Sequence, residues 1–157
     1  MLLLSPSTRL NSKPSDSRFS MRKETMLKNL DHVAIAVNNI EDALKTFEKT
    51  LGLKLEKVKT VEDQKVKIAA LHAGQTKIEL LEPTSSESPV AKFLASRGQG
   101  IHHLAFEVTD IEEHLNELKA KGISLIDEKP RPGAMAKKIA FIHPKSTKDV
   151  LIELVEH

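Results

Sequence analysis

The stretch Leu30-Asp31-His32-Val33-Ala34-Ile35-Ala36-Val37-Asn38-Asn39-Ile40-Glu41 returns 71 residues later as Ile101-His102-His103-Leu104-Ala105-Phe106-Glu107-Val108-Thr109-Asp110-Ile111-Glu112. The same offset sets Lys67-Ile68-Ala69-Ala70-Leu71-His72 above Lys138-Ile139-Ala140-Phe141-Ile142-His143. After an insertion in the second copy's hairpin, Ile78-Glu79-Leu80-Leu81-Glu82 matches Ile152-Glu153-Leu154-Val155-Glu156. Two copies of about 55 residues are too few and too long for a solenoid. They indicate a duplicated supersecondary unit inside one pseudo-symmetric domain, with modules at about 28–83 and 100–157 of a domain spanning 27–157.

Each copy reads strand, helix, then three strands, an α+β pattern. Val33, Ile35 and Val37 alternate as in a strand with one face in a core. Asn39 and Asp110 stand where helix N-caps belong, and Glu113 completes a capping box with Asp110. Ile40, Ala43, Leu44, Phe47 and Leu51 share one helical face, as do Ile111, Leu115 and Leu118. Gly52 and Gly122 end those helices. Leu53–Val61, Val66–His72 and Thr76–Glu82 read as strands in the first copy. Strands in the second copy lie near Ser124–Asp127, Ala136–His143 and Val150–Glu156. A short helix capped by Ser88, with Pro89 in its first turn and Gly98 at its end, joins the copies. The loop Lys129–Ala134 is expected to be a mobile element over a site.

Composition removes whole classes of function. The chain has no Cys, so disulfides, thiolate metal sites and Cys nucleophiles are excluded. It has no Trp or Tyr and five Phe, too few rings for a single-strand nucleic-acid platform. The net charge of +2 is misplaced rather than basic overall. Arg9, Lys13, Arg18, Arg22 and Lys23 against Asp16 and Glu24 give residues 1–26 a net of +3, leaving −1 for the rest. This Ser-rich segment, with Pro6 and Pro14, has no apolar period and is expected to be a disordered tail. It reads either as an organelle transit peptide or as the product of a start assigned upstream of Met21 or Met26. The expected location is cytoplasmic, or the mitochondrial matrix if the tail is a transit peptide.

In the first strand His32, Ala34 and Ala36 point away from the core. In its counterpart His103, Ala105 and Glu107 do. Small residues beside a His leave the space that a ligand pocket needs. Glu79 and Glu153, on the last strands of the two copies, sit among apolar neighbours, where an ionised carboxylate is costly unless paired or metal-bound. Two imidazoles and two carboxylates suit a borderline divalent cation: Co²⁺, Ni²⁺, Mn²⁺, Fe²⁺ or Zn²⁺. Taken singly, each is as well explained as a satisfied strand residue; the matching positions in a repeat favour the site. His102 alternates to the face opposite His103 and reads as structural. His72 reads as a hairpin-edge residue and His114 as exposed. No glycine-rich phosphate loop and no Gly-x-Ser-x-Gly elbow is present.

Asp31-His32-Val33-Ala34-Ile35-Ala36-Val37 and Gly100-Ile101-His102-His103-Leu104-Ala105-Phe106 resemble the module-opening strands of the vicinal oxygen chelate, or glyoxalase-like, superfamily. Within it, 28–156 resembles the methylmalonyl-CoA epimerase family. The more specific stretches are Lys77 to Pro83, Asp127 to Ala134, and Ile139-Ala140-Phe141-Ile142-His143-Pro144-Lys145-Ser146 leading into Val150-Leu151-Ile152-Glu153-Leu154. Asp149 and Gly133-Ala134-Met135-Ala136 depart from the family's usual glycine-richer pattern.

The resemblance implies paired βαβββ modules whose eight strands form one cupped sheet. It implies one divalent metal ion, Co²⁺ favoured, held by His32, His103 and Glu153, with Glu79 where some members have Gln. It implies interconversion of (R)- and (S)-methylmalonyl-CoA by proton removal and return at C2, with Glu153 as one base and Lys67 the candidate for the other. His143, Lys145 and Ser146 are the implied substrate contacts. The implied partners are a small acyl-CoA and a second copy in a homodimer, with neither nucleic acid nor membrane. Two other readings stand beside it: a glyoxalase I-type lactoylglutathione lyase, suited by a His, Glu, His, Glu set, and a metal-free small-molecule binder on the same fold.

Overall fold

A computed structural model describes residues 27–157. The tail on which the transit-peptide and start-site readings fall lies outside the described residues.

Both copies fold in the order expected. The first gives β1 (Leu27–Ala36), a helix, β2 (Lys54–Val61), β3 (Val66–Ala73) and β4 (Thr76–Pro83). Its helix is α-helical only over Ile40–Leu44 (α1) and continues as a π-helix over Lys45–Thr50. The joining helix α2 spans Pro89–Arg97, with Ser88 Oγ accepting from Val90 N–H and Gly98 closing it. The second copy gives β5 (Gly100–Val108), α3 (Ile111–Ala120), β6 (Lys138–Ile142) and β7 (Ile152–Glu156). Asn39 and Asp110 cap their helices by accepting from Asp42 and Glu113 N–H.

The seven strands make one sheet in the order β2-β3-β4-β1-β5-β7-β6. Each module pairs its first strand in parallel with its last, β1 with β4 and β5 with β7. The modules join through the antiparallel pair β1–β5. The pairing order is the same on both sides of that seam, so the duplication is visible in the topology.

The eighth strand expected at Ser124–Asp127 is reduced to a bridge between Leu125 and Ile142, with a second bridge between Arg131 and Ile139. Pro130 and Pro132 lack the N–H groups that a continuous ladder needs. Asp127 replaces part of it, accepting from Phe141 N–H at 2.9 Å through its side chain. Gly133 is required by close approach: a Cβ there would lie 2.6 Å from Ile139 Cγ2 and 2.9 Å from the Ala136 carbonyl oxygen.

One sheet face carries α1 and α3. Val37, Ile40, Ala69, Leu71 and Leu80 form the core beneath α1. Val108, Ile111, Leu115, Ala140, Ile142 and Leu154 form its counterpart beneath α3. Leu51, expected on the buried face, is 61% exposed, because the wider i→i+5 turns rotate it away from the sheet. The other face is the concave one and carries Ala34, Ala36, Val66, Ile68 and Leu81 from the first module and Ala105, Ile139 and Val155 from the second.

Three register shifts interrupt the β1–β5 seam, at Lys28, Asp31 and His102, and the last two lie beside the histidines. Leu30 pairs with Phe106 and His32 with Ala105, which makes Asp31 an extra residue on β1. Ala34 pairs with His103 and Ile35 with Ile101, which makes His102 an extra residue on β5. A bulge re-aims the side chain that it inserts.

The duplication also repeats a clasp between sheet and helix. Glu82, next to last in β4, accepts from Ile40 N–H at 2.7 Å, and Glu156, ending β7, accepts from Ile111 N–H at 2.9 Å. Each carboxylate satisfies an orphan donor at the positive end of a helix. Glu156→Ala and Glu82→Ala should each lower stability by about 1–3 kcal/mol, the cost of an abandoned charged hydrogen bond. Urea unfolding followed by circular dichroism measures this, and the Gln variants should recover most of the loss.

Candidate metal centre

The register places the polar residues of the concave face in two rows across the seam. Glu79 on β4 lies beside Ala34 on β1, which lies beside His103 on β5. His32 on β1 lies beside Ala105 on β5, which lies beside Glu153 on β7. An alanine thus separates a His from a Glu in each row. Because neither alanine has a side chain long enough to fill the gap, the four long side chains lean together over them. All four are buried, at 5–6% exposure, although each is polar.

At the centre, His103 Nε2 lies 2.8 Å and His32 Nε2 3.1 Å from Glu153 Oε2. The two Nε2 atoms are 3.3 Å apart, and Glu79 Oε2 is 3.4 Å from His32 Nε2. One donor atom from each of His32, His103 and Glu153 lies within 4.8 Å of the other two. Donors bound to one cation at about 2.1 Å stand roughly 3.0–3.4 Å apart, so the spacing fits a shared ion. The charge also fits: Asp31, Glu79 and Glu153 bring three carboxylates to two imidazoles, an excess that a divalent cation would balance.

Protons take up part of that excess in the metal-free protein. Burial resists a charge on His32, but hydrogen bonds to Asp31 and Glu153 and the charge of Glu79 outweigh it and push the imidazole up to about 10. Burial likewise resists ionisation of Glu153, and the two imidazoles, His103 and His32, hold it down at about 2. Glu79 goes the other way: burial, helped by the charge of Glu153, raises it despite His32. Burial and the neighbouring His103 lower His102 to about 4.

The cluster sits in a cavity of about 600 Å³, within the range of small-molecule sites. Val66, Ile68, Leu81, Ile139, Phe141 and Val155 give it apolar walls, and Asp63, Arg131 and His157 are among its polar residues.

The structure brings His32, His103, Glu79 and Glu153 together. It does not bring Lys67. That residue alternates with Val66 and Ile68, which line the cavity, and shares its side of β3 with Ala69 and Leu71 in the core beneath α1. His143, Lys145 and Ser146 lie on the turn after β6, outside the cavity lining. The His143 ring accepts from Lys145 N–H, and Ser146 Oγ accepts from Ser124 N–H. His102, read as facing away, does line the cavity, because the bulge at its position cancels the alternation. Its Nδ1 is 2.9 Å from His103 Nδ1. Asp31 is the other residue that alternation hid: its Oδ2 accepts from His32 Nδ1–H at 2.7 Å. His114 is half-buried rather than exposed.

Among the described residues no helix is long and apolar enough to cross a membrane. Residues 31–141 match the model of the Glyoxalase/Bleomycin resistance protein/Dioxygenase superfamily. The chain is 48% identical over 130 residues to the Bacillus subtilis protein YqjC, covering 83% of this chain and 93% of that one. It is 37% identical to the ethylmalonyl-CoA/methylmalonyl-CoA epimerase of Cereibacter sphaeroides, covering 82% and 98%. A variant of the Streptomyces coelicolor methylmalonyl-CoA epimerase, solved in complex with 2-nitronate-propionyl-CoA, superposes with a TM-score of 0.79 at 34% identity, covering 83% and 94%.

A divalent cation entering this site must displace the His32 proton. Affinity for Zn²⁺ should therefore rise with pH across the neutral range, with about one proton released per ion, and fall as acid restores the imidazolium. Calorimetric titration in buffers of different ionisation enthalpy reads both quantities. His103→Ala should abolish high-affinity uptake.

Proposed function

The chain belongs to the Glyoxalase/Bleomycin resistance protein/Dioxygenase superfamily, and from that premise we propose that it epimerises (R)- and (S)-methylmalonyl-CoA at C2. The observation that carries the reading is the convergence of His32, His103 and Glu153 in a cavity with one ionised carboxylate at its centre. The names of the relatives support the substrate class. So does the Streptomyces coelicolor complex, because a nitronate presents a planar anion where deprotonation of methylmalonyl-CoA would make one.

His32, His103 and Glu153 would hold the divalent ion, with Glu79 close enough to His32 to serve as a fourth donor. When bound, that ion supplies Lewis-acid stabilisation of negative charge on the substrate's oxygens, worth several kcal/mol of barrier. Glu153 is assigned the role of base on one face of C2: it is ionised, buried, and held in place by two imidazoles. The apolar walls keep water from the planar carbanion and so protect its proton balance.

Inversion needs a second proton carrier on the opposite face. Lys67 is on the wrong side of β3 to serve. The opposite half of the sheet offers the β2–β3 turn, where Asp63 lines the cavity with Glu62 beside it. We assign the second role to this acidic turn. A proton taken by Glu153 is balanced by one delivered from the turn, and the reverse reaction exchanges the roles.

Incubating the metal-loaded protein with (S)-methylmalonyl-CoA in D₂O should place deuterium at C2 and yield both epimers. Turnover of the methylglyoxal–glutathione hemithioacetal in its place would establish the lyase instead. Glu153→Gln keeps an oxygen donor and removes the base, so activity per bound metal should fall by about 10²–10⁴. Glu79→Gln should retain activity within about tenfold, roughly 1.4 kcal/mol of barrier. In Glu62→Gln or Asp63→Asn, whichever carries the second proton, isotope exchange from one epimer should survive while inversion is lost. Lys67→Ala should leave both rates unchanged.

A further inference from the structure

Each histidine of the centre is preceded by a residue that has no assigned part in it. Asp31 precedes His32 and His102 precedes His103, again at the offset of 71 residues. In a regular strand these side chains would point to the helix-covered face. Both are bulge residues, and both bulges lie on the seam between the modules. The bulges turn them into the cavity, where each meets the Nδ1 atom of the next imidazole: Asp31 Oδ2 at 2.7 Å and His102 Nδ1 at 2.9 Å. The duplication has kept a backbone irregularity twice, and each time it delivers a polar group to Nδ1 of the histidine that follows.

We infer that Asp31 and His102 are positioning residues that accept the Nδ1–H of His32 and His103 and thereby turn both Nε2 lone pairs toward a cation shared with Glu153. The inference rests on the metal reading proposed above. A ring that ligates through Nε2 carries its proton on Nδ1, and a fixed acceptor for that proton sets both tautomer and ring orientation. His102 performs this role as a neutral acceptor and is itself held edge-on to Phe93, with ring centroids 5.0 Å apart. Asp31 performs it as an anion and is anchored from its far side by His157 Nε2 at 2.6 Å. The two ligands are therefore unequal. His32, hydrogen-bonded to a carboxylate, is the stronger donor; His103, hydrogen-bonded to an imidazole, is the weaker.

Zn²⁺ binding to the full chain, with histidine ring nitrogens followed by ¹⁵N NMR, tests this. In the wild-type complex both rings should show Nδ1–H and a metallated Nε2. Asp31→Ala and His102→Ala should each weaken Zn²⁺ binding by about 10–100-fold. The conservative variants separate positioning from bulk packing. Asn at position 102 restores a neutral acceptor near the place of Nδ1, so His102→Asn should bind Zn²⁺ nearly as well as wild type. Asp31→Asn keeps the acceptor and loses the charge, so its affinity should lie between those of wild type and Asp31→Ala. Should either Ala variant fail to fold, the NMR assignment and the Asn variants still decide the matter. Wild-type affinity in both Ala variants, or metallation of either ring at Nδ1, overturns the inference alone. Failure of the wild-type protein to take up Zn²⁺ overturns the metal reading, and the inference with it.

Discussion

The constraint on which the rest of the structure depends is the buried carboxylate of Glu153. An ionised group taken from water into an apolar cup is tolerable only if partners replace its hydration. The two imidazoles at 2.8 and 3.1 Å do so. Those imidazoles must arrive from different modules, since each module has one such strand. The seam between β1 and β5 therefore cannot slip: a shift of one residue would turn His32 and His103 to the helix-covered face and leave Glu153 uncompensated. Ala34 and Ala105, fully buried opposite the two histidines, belong to the same constraint, because a larger side chain at either would wedge the cluster open.

The duplication explains how one chain meets that requirement. Two βαβββ modules set edge to edge put their first strands next to each other and their last strands one step out. A His on each first strand and a Glu on each last strand then converge on the axis between the halves. α1 and α3 stay on the far face, each clasped by a glutamate near the end of its module's last strand. The halves have diverged at the outer edge of the second module. The second module gives up a regular outer strand for a proline-broken loop from which Arg131 reaches the cavity and stacks on Phe141, 5.6 Å from its ring centroid.

Much of this was legible in the sequence. The offset of 71 residues gave the module order, alternation turned His32 and His103 away from the core, and the repeat matched Glu79 with Glu153. Legibility ended wherever the backbone leaves its ideal period. The bulges at Asp31 and His102 cancel alternation for one residue each, so both side chains face the cavity although strict alternation turns them away from it. The π-helical turns after Leu44 shift the helical period and expose Leu51. Pro130 and Pro132 were visible, but their effect on a strand expected to begin six residues earlier, at Ser124, was not. Lys67 lies between Val66 and Ile68, which line the cavity, so strand parity turns it to the other side.

The irregularities are unevenly distributed, and the distribution is informative. A bulge sacrifices ladder hydrogen bonds and is retained where the re-aimed side chain contributes more than the lost pairing. The β1–β5 seam is the element that can least tolerate slippage, yet it carries a bulge on each strand beside a candidate ligand. If Asp31 and His102 served only to fill space, an unbulged strand with small residues at those positions would fill it more economically, as Ala34 and Ala105 show three positions further on. Their hydrogen bonds to Nδ1 of the two central imidazoles are what the bulged geometry provides and a regular strand cannot. At Asp31 and His102 the strand pattern thus fails where the chemistry of the site is set, and in both copies the failure falls on the residue before the histidine.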